Sequence, residues 1–284
     1  MNVATDQKAG FCFGVVQAIK KAEEYLAEHG RLYCLGQIVH NEAEAGRLKE
    51  KGLVSIDYDE YARLENVVVL IRAHGEPPST YETAKKNNLT LIDATCPLVT
   101  RLQKKIKNAS ETLKQNEKIV IFGNPAHPEV IGLAGQQPDK TLVVQHEDDL
   151  KNLGAVETVH LYSQTTKDKA KYASIKQALE RLGNTAVVFN DSICRQVYNR
   201  KDELAKFAAA HDVMIFVGGS KSSNAKVLFD ICKQANANSY FISGKDQLDK
   251  AWFAPNDTIG ISGATSTPPW QMEEVAEAVK KITG

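Results

Sequence analysis

In "KAGFCFGVVQAIKKAEEYL", residues 8–26, a lone cysteine stands directly before a helical pattern. Apolar residues three and four apart after Cys12 indicate an amphipathic helix, and a strand-like run, "RLYCLGQIVH", follows that helix. The same order recurs around Cys96 in "LIDATCPLVT" and around Cys194 in "FNDSICRQVY". Self-similarity at a regular interval is the signature of a repeat architecture. The chain is therefore predicted to contain three related units.

The second half of each unit also repeats. With His74, Thr165 and Ser266 as landmarks, the runs "VVVLIRAHGEPP", "TVHLYSQTT" and "TIGISGATSTPP" align, and a helical pattern follows each. The third unit ends at that helix, so the N-terminal segment is expected to supply its missing strand. The predicted units are 13–96, 97–193 and 194–284, the last completed by strand 1–12.

This alternation of strands and helices predicts an α/β fold with parallel sheets and helices on both faces. In such sheets, ligands bind beyond the carboxyl ends of the strands. The three cysteines and six polar clusters all fall at predicted carboxyl ends. We therefore expect three α/β units, related by a pseudo-threefold axis, around one central cavity that holds the reactive groups.

The composition excludes several other classes of protein. Lys+Arg and Asp+Glu each number 35, so the net charge is zero, and this argues against a broad surface for nucleic acid or an anionic membrane but leaves a local basic pocket open. No run of apolar residues is long enough to cross a bilayer, and the N-terminal residues do not resemble a signal peptide. The five cysteines lack the spacing of a secreted disulfide scaffold. The expected location is the cytoplasm.

The three repeated cysteines are candidate metal ligands. A helix N-terminus favours the thiolate, which is the form that binds metals. Soft thiolates select zinc or an iron–sulfur cluster. A cluster of four irons normally takes four cysteines, so three would leave one iron open to substrate, whereas zinc would require a Cys₃His site. Cys34 and Cys232 have no counterparts in the repeat and are expected to be buried structural residues.

The polar clusters are candidate binding and catalytic groups. Hydroxyl and amide side chains at helix N-termini can cradle a phosphate or diphosphate. Glu129, in "AHPE", is either a proton donor in the cavity or a glutamate that favours the N-terminus of a helix. The other candidates at strand ends are His40, His74, His127, Thr165, Thr166, Ser222, Ser223, Asn224 and Ser266.

A set of short motifs resembles the LytB family of 4-hydroxy-3-methylbut-2-enyl diphosphate reductases. The motifs are "AGFCFGV", "IVHN", "RAHG", "ATCP", "HPE", "QTT", "SIC…NR", "SSN" and "STP", and they extend from residue 10 to about residue 268. The resemblance implies a central [4Fe–4S] cluster held by Cys12, Cys96 and Cys194, with one open iron. It implies an oxidoreductase of the non-mevalonate isoprenoid pathway, which removes the substrate hydroxyl to give isopentenyl and dimethylallyl diphosphates. A ferredoxin- or flavodoxin-type protein would supply two electrons.

The resemblance also implies roles for single residues. Glu129 would protonate the hydroxyl as it leaves the open iron, with His127 beside it, and Thr165 would orient that hydroxyl. The diphosphate would be held by His40, His74, His127, Ser222, Ser223, Asn224 and Ser266. Two other hypotheses remain open at this point: an enzyme similar to quinolinate synthase, whose cluster acts only as a Lewis acid, and a binding protein whose units are joined by zinc.

Overall fold

A computed structural model describes residues 2–183 and 185–283, except for the side chains of Ser223 and Thr283. Strands and helices alternate along this part of the chain. The strands are β1 (Asn2–Thr5), β2 (Leu32–Leu35), β3 (Leu53–Ile56), β4 (Val68–Ile71), β5 (Thr90–Asp93), β6 (Glu117–Phe122), β7 (Thr141–Val144), β8 (Thr158–Ser163), β9 (Ala186–Phe189), β10 (Val213–Val217), β11 (Ser239–Ile242) and β12 (Thr258–Gly263). The helices are α1 (Phe13–His29), α2 (Glu42–Glu50), α3 (Tyr58–Arg63), α4 (Pro78–Lys86), α5 (Pro97–Thr112), α6 (Pro128–Ala134), α7 (Lys169–Glu180), α8 (Arg195–Ala209), α9 (Ser223–Ala235) and α10 (Pro269–Thr283).

The described strands form three four-stranded sheets. The paired strands whose registers are described run parallel, and helices connect them. The predicted α/β architecture of three parallel-sheet units is therefore confirmed. The chain also divides into two compact units, which are described separately: the first contains the residues up to Ser55 and from Asn199 onward, and the second contains Ile56–Tyr198.

The first compact unit contains a sheet of order β1-β12-β10-β11. Strand β10 reads "VMIFV" and is buried along its whole length, as expected for a central strand covered on both faces. Strand β1 pairs in parallel with β12, with Asn2 opposite Thr258 and Thr5 opposite Ile261. The N-terminal strand thus takes the position in this sheet that a strand following α10 would otherwise fill.

The second compact unit contains a sheet of order β7-β6-β8-β9, which has the same connectivity. Its central strands β6 and β8 pair in parallel from Glu117 with Thr158 to Phe122 with Ser163. Strands β4 and β5 also pair in parallel in this unit. Apolar residues of these strands and their helices form the core, with Ile119, Ile121 and Tyr172 at most 2% exposed.

A glycine can set the point at which a helix ends. For example, α1 ends at Gly30, which adopts a left-handed φ of 70° and donates its N–H to the carbonyl oxygen of Leu26, a backbone conformation that glycine adopts without strain. Across residues 2–183 and 185–283, we find no helix with the length and apolar character needed to cross a membrane.

Candidate active site

The three repeated cysteines occupy the same local position in the backbone. Cys12 and Cys96 are the N-cap residues of α1 and α5, and Cys194 directly precedes α8. In each case the cysteine carbonyl accepts a bond from the N–H four residues later, over 3.0 Å for Cys12 and 2.9 Å for Cys96 and Cys194. All three thiols are half-buried and none is in a disulfide. The repeat inferred from the sequence therefore extends to the geometry of these helix starts.

A second hydrogen bond fixes each cysteine to the loop that follows a neighbouring strand. The N–H groups of Cys12, Cys96 and Cys194 donate to the carbonyl oxygens of Thr265, Ala73 and Thr165, over 3.1, 3.0 and 2.8 Å. These acceptors are equivalent in the structure. The sequence alignment instead paired Thr165 with His74 and Ser266, and was therefore displaced by one residue in two repeats. Apolar strand patterns do not specify the loop register after the last strand residue.

The other two cysteines differ from these three. Cys34 lies in β2 and Cys232 lies in α9, and both are fully buried. The Cys232 thiol donates to the Ser239 hydroxyl over 3.4 Å, and burial raises its pKa. Both cysteines are therefore buried, as predicted.

Glu129 and Thr165 form a buried hydrogen-bonded pair in the second compact unit, Ile56–Tyr198. The Thr165 N–H donates to Glu129 Oε1 over 2.6 Å, and the Thr165 hydroxyl donates to Oε2 over 2.9 Å. Glu129 is 2% exposed and Thr165 is 7% exposed. Glu129 follows His127, the N-cap of α6, and Thr165 follows β8. The carboxyl therefore lies directly beside the loop that binds Cys194.

The environment of Glu129 favours its protonated form. Burial without a cationic partner disfavours the carboxylate and raises its pKa to about 7, although the two bonds from Thr165 act in the opposite direction. When Glu129 is protonated, Oε2 can donate to the Thr165 hydroxyl, which then has its own proton available for another acceptor. A group with a pKa near neutrality suits proton transfer at physiological pH. This pair can therefore hold and pass on one proton.

Two histidines adjoin Glu129 in the same unit. Nδ1 of His127 accepts the N–H of Glu129 over 3.2 Å, so the neutral ring carries its proton on Nε2. The ring of His74 meets that of His127 edge to face, with centroids 5.3 Å apart. His74 also follows Ala73, the residue that binds Cys96. In the second compact unit, direct contacts or adjacent positions in the chain therefore link six residues: His74, Cys96, His127, Glu129, Thr165 and Cys194.

The first compact unit brings together the hydroxyl and amide side chains that the sequence offered as candidate ligands. Ser222 is the N-cap of α9, and its hydroxyl lies 3.2 Å from that of Ser266. Nδ2 of Asn224 donates to the hydroxyl of Thr265 over 2.6 Å. Because Thr265 also accepts the N–H of Cys12, these polar side chains lie beside that cysteine. The side chain of Ser223 lies outside the described part of the structure.

His40 belongs to the same unit and lies beside the loop that precedes Ser222. A Cβ atom on Gly219 would be 2.3 Å from the carbonyl oxygen of His40 and 3.0 Å from the Cα of Asn41. Only glycine allows the two backbones to approach this closely. Asn41 caps α2 and donates to Gln271 over 2.9 Å, so the His40 loop is held in place. The first unit therefore contains Cys12, His40, Ser222, Asn224 and Ser266.

One buried polar network was missed by the sequence analysis. Arg200 on α8 forms a short ion pair with Asp6, and its guanidinium also donates to the Ser262 hydroxyl over 2.7 Å. Ser262 in turn donates to Asp6 over 3.0 Å. The network anchors the segment between β1 and Cys12. Arg200 lies within the quoted motif "SIC…NR", but no local pattern relates it to a partner near the N-terminus.

The donor set fits an iron–sulfur cluster. Three half-buried cysteines stand at helix starts, and cysteine sulfur is the usual protein ligand of iron–sulfur clusters. Three thiolates with no fourth repeated cysteine match a cluster that keeps one iron open to a ligand. The residues present are therefore suitable for the implied cofactor.

Known proteins match this chain along nearly its whole length. The model of the LytB protein family matches residues 3–280. The 4-hydroxy-3-methylbut-2-enyl diphosphate reductase of Bacteroides fragilis is 50% identical over 283 residues, covering 99% of this chain and 98% of the relative. The corresponding reductase of Phocaeicola vulgatus is 47% identical and covers 98% of both chains.

Solved structures show the same fold. The structure of the E-1-hydroxy-2-methyl-but-2-enyl-4-diphosphate reductase from Plasmodium falciparum aligns with a TM-score of 0.84 at 29% identity, covering 97% of this chain and 87% of that one. A structure of (E)-4-hydroxy-3-methyl-but-2-enyl diphosphate reductase, described as the terminal enzyme of the non-mevalonate pathway, aligns with a TM-score of 0.75 at 34% identity, covering 99% of each chain. Because the family match spans nearly all of the residues, this chain belongs to the LytB protein family.

Proposed function

We propose that this protein is an iron–sulfur oxidoreductase that reduces 4-hydroxy-3-methylbut-2-enyl diphosphate to isopentenyl and dimethylallyl diphosphates. Relatives that match nearly the full chain have this name. In the reaction, the carbon–oxygen bond of the allylic alcohol breaks. Two electrons and two protons enter: one proton leaves with the hydroxyl as water, and the other forms the new carbon–hydrogen bond.

Cys12, Cys96 and Cys194 would hold a [4Fe–4S] cluster with one iron free of protein ligands. When bound, this group supplies a Lewis acid for the substrate hydroxyl and a store of electrons. The protein binds and orients the substrate, excludes water and delivers a proton. Support for this assignment comes from the equivalent helix-start positions of the three cysteines and from the buried positions of Cys34 and Cys232.

Glu129 is the proposed proton donor for the departing hydroxyl. Its Oε2 lies 2.9 Å from the Thr165 hydroxyl, so Thr165 can orient the substrate oxygen and relay the proton to it. Nδ1 of His127 accepts the Glu129 N–H, and this bond holds the start of α6, which carries the acid, in place. Burial keeps Glu129 protonated at pH values up to about 7, so the acid is in the required form before substrate binds.

The diphosphate would be bound by hydroxyl, amide and imidazole groups. Ser222 and Asn224 stand at the start of α9, where backbone N–H groups attract anions, and Ser266 lies beside Ser222. The complete proposed set of substrate ligands is His40, His74, His127, Thr165, Ser222, Ser223, Asn224 and Ser266. Hydrogen bonds from these groups would bind and stabilise a diphosphate without a lysine or arginine in the set.

The proposal includes three further features. The units are 13–96, 97–193 and 194–284 with strand 1–12, arranged around a central cavity. A ferredoxin- or flavodoxin-type protein supplies the electrons. The enzyme acts in the cytoplasm, where the reducing conditions would keep its cysteines out of disulfides.

The observation that carries the proposal is the buried Glu129–Thr165 pair, tied by a backbone bond to Cys194. The test is anaerobic purification followed by iron and sulfide analysis and an assay of the allylic diphosphate with reduced methyl viologen. We expect four irons and four sulfides per chain and substrate-dependent oxidation of the viologen. Zinc in place of iron, or a loaded enzyme that leaves this diphosphate unchanged, would contradict the proposal.

Cysteine variants make this test specific. Cys96→Ser and Cys194→Ser should each lose most of the bound iron, because each removes a thiolate ligand. Cys34→Ser and Cys232→Ser are matched controls, which should retain it. Equal iron content in all four variants would refute the ligand assignment.

A further inference from the structure

A surface pocket in the second unit leads to one of the proposed cluster ligands. Its volume is about 500 Å³, and Cys194 and Thr165 form part of its lining. Arg101 and Lys105, from the outer face of α5, also line it, as does Arg195 at the start of α8. An adjoining pocket of about 390 Å³ adds Lys104. Exposed cations therefore predominate at the approach to Cys194, where Asp191 is the exposed acidic residue of the lining.

The exposed face of α5 is strongly basic. Arg101, Lys104, Lys105 and Lys107 are all exposed, and Glu111 is the one acidic residue in the helix sequence. The chain as a whole carries no net charge, with 35 residues of each sign, so the excess of cations is a local feature of this helix. Within residues 2–183 and 185–283, these four side chains form no ion pair with an acidic side chain. Their positive field is thus available to an external anion.

An apolar side chain lies among these cations. Leu98, one turn before Arg101 on α5, is 44% exposed and lines the same pocket. An exposed apolar residue with a charged rim is the usual composition of a transient protein interface. Electron-transfer complexes are at the small end of the range of interface sizes and rely on complementary charge for rapid association.

We propose that the α5 patch, formed by Leu98, Arg101, Lys104, Lys105 and Arg195, docks a small acidic one-electron carrier protein that passes electrons inward on the Cys194 side. This inference rests on the proposed function, because it assigns an entry point for the electrons that the reaction consumes. Two carriers dock in turn, and each is oxidised by one electron. Opposite charge steers the encounter, and exchange remains fast because the interface is small.

The patch has one alternative role that an experiment can separate from docking. Its cations could attract the diphosphate substrate instead of a protein. Substrate steering would alter the substrate KM with any reductant. Docking alters only kinetics that depend on the protein carrier, because a small dye reaches the site without a complementary surface.

The experiment compares charge-reversal variants of the cluster-loaded enzyme. Arg101→Glu combined with Lys105→Glu removes the centre of the patch. The matched control is Lys85→Glu combined with Lys86→Glu, which changes the same total charge on exposed residues of α4 in the same unit. The probe is an acidic flavodoxin, reduced, at low ionic strength. Saturating reduced methyl viologen is the second electron source.

Electrostatic steering contributes about 10- to 1,000-fold to association rates. We therefore expect kcat/KM for the flavodoxin to fall at least tenfold in the α5 variant and less than twofold in the α4 control. The loss should shrink in about 0.5 M salt, where screening shortens the range of charge interactions. Viologen-driven kcat and the substrate KM should stay within twofold of the starting protein.

A titration of the oxidised flavodoxin into each protein gives a readout independent of turnover. The α5 variant should bind it at least tenfold more weakly than the control. Equal flavodoxin affinity in the two variants, or no binding to the unsubstituted protein, would refute the docking surface. If the α5 variant had a raised substrate KM with viologen as the electron source, the patch would be assigned to substrate steering and the docking proposal would be wrong. If the unsubstituted protein showed no turnover with viologen, the proposed function would be contradicted. The flavodoxin titration would still show whether the α5 patch is a docking surface.

Discussion

Replacing Glu129 with glutamine removes the proposed acid while preserving its shape. The glutamine oxygen can still accept the Thr165 N–H, which binds Oε1 over 2.6 Å. Its amide nitrogen can donate to the Thr165 hydroxyl in place of the bond over 2.9 Å. The substituted side chain should therefore keep its position and lose only its transferable proton. General acid catalysis contributes about 10²–10⁴-fold, and we expect kcat to fall by that factor with little change in the substrate KM.

The same substitution lowers kcat but should make the fold less sensitive to rising pH. The pKa of Glu129 is raised from 4.5 in the unfolded chain to about 7 in the fold. The proton on Glu129 therefore contributes its full amount to the free energy of unfolding below pH 4.5. That stabilisation is lost as the pH rises through 7. At 1.36 kcal/mol per pKa unit, the loss amounts to roughly 3 kcal/mol by pH 8. Glu129→Gln lacks this titration, so its free energy of unfolding should decline less between pH 5 and pH 8.

The assay measures both quantities on protein with the same iron content. Viologen-driven kcat is compared at pH 7, and denaturant unfolding is compared at pH 5 and pH 8. Glu44→Gln is the matched control, because Glu44 is fully buried but pairs with Arg47 over 2.5 Å, outside the proposed proton path. That control should lose stability and keep kcat within a few-fold. A Glu129→Gln enzyme with near-normal kcat would refute the proton-donor role.

Four other outcomes follow from the geometry. Wild-type kcat/KM should fall about tenfold per pH unit above 7, because Glu129 acts only when protonated; a flat pH–rate profile from 6 to 9 would contradict this. Ser222→Ala should weaken inhibition by free diphosphate roughly 10- to 150-fold, since a hydrogen bond to a charged group contributes about 1.5–3 kcal/mol; an unchanged inhibition constant would place the anion elsewhere. Gly219→Ala should reduce the free energy of unfolding by about 1–3 kcal/mol, as its Cβ would be 2.3 Å from the His40 carbonyl oxygen, and denaturant titration tests this. Arg200→Met should cost about 3–5 kcal/mol because it leaves the buried Asp6 without its cationic partner, and adding Asp6→Asn should recover much of that loss.

The repeat was predictable because its signals are local. Apolar periodicity marks strands and helices, and each cysteine directly precedes a helix. The strands whose ends carry His74, Thr165 and Ser266 were likewise found from apolar runs followed by polar residues. Burial of β10 on both faces explains why its sequence lacks an alternating pattern.

Contacts between distant residues were not predictable in the same way. Glu129 and Thr165 were each candidates, but their double hydrogen bond joins residues from separate elements. Asp6 and Arg200 meet although 194 residues separate them along the chain. The hydrogen bonds to the cysteines likewise end at Ala73 and Thr265, one residue before the expected landmarks. Tertiary packing sets such pairs, and no periodicity within one segment reports them.

The number of electrons consumed per diphosphate tests the central claim most directly. Anaerobic enzyme is mixed with a limiting amount of 4-hydroxy-3-methylbut-2-enyl diphosphate and excess reduced methyl viologen, and the oxidised dye is counted against the products. A reductive loss of the hydroxyl requires two electrons for each molecule of isopentenyl or dimethylallyl diphosphate. We predict that ratio, with no consumption by Cys96→Ser protein that lacks iron. Conversion of this diphosphate without dye oxidation would show that the protein uses Lewis-acid chemistry alone, and would contradict a reductase.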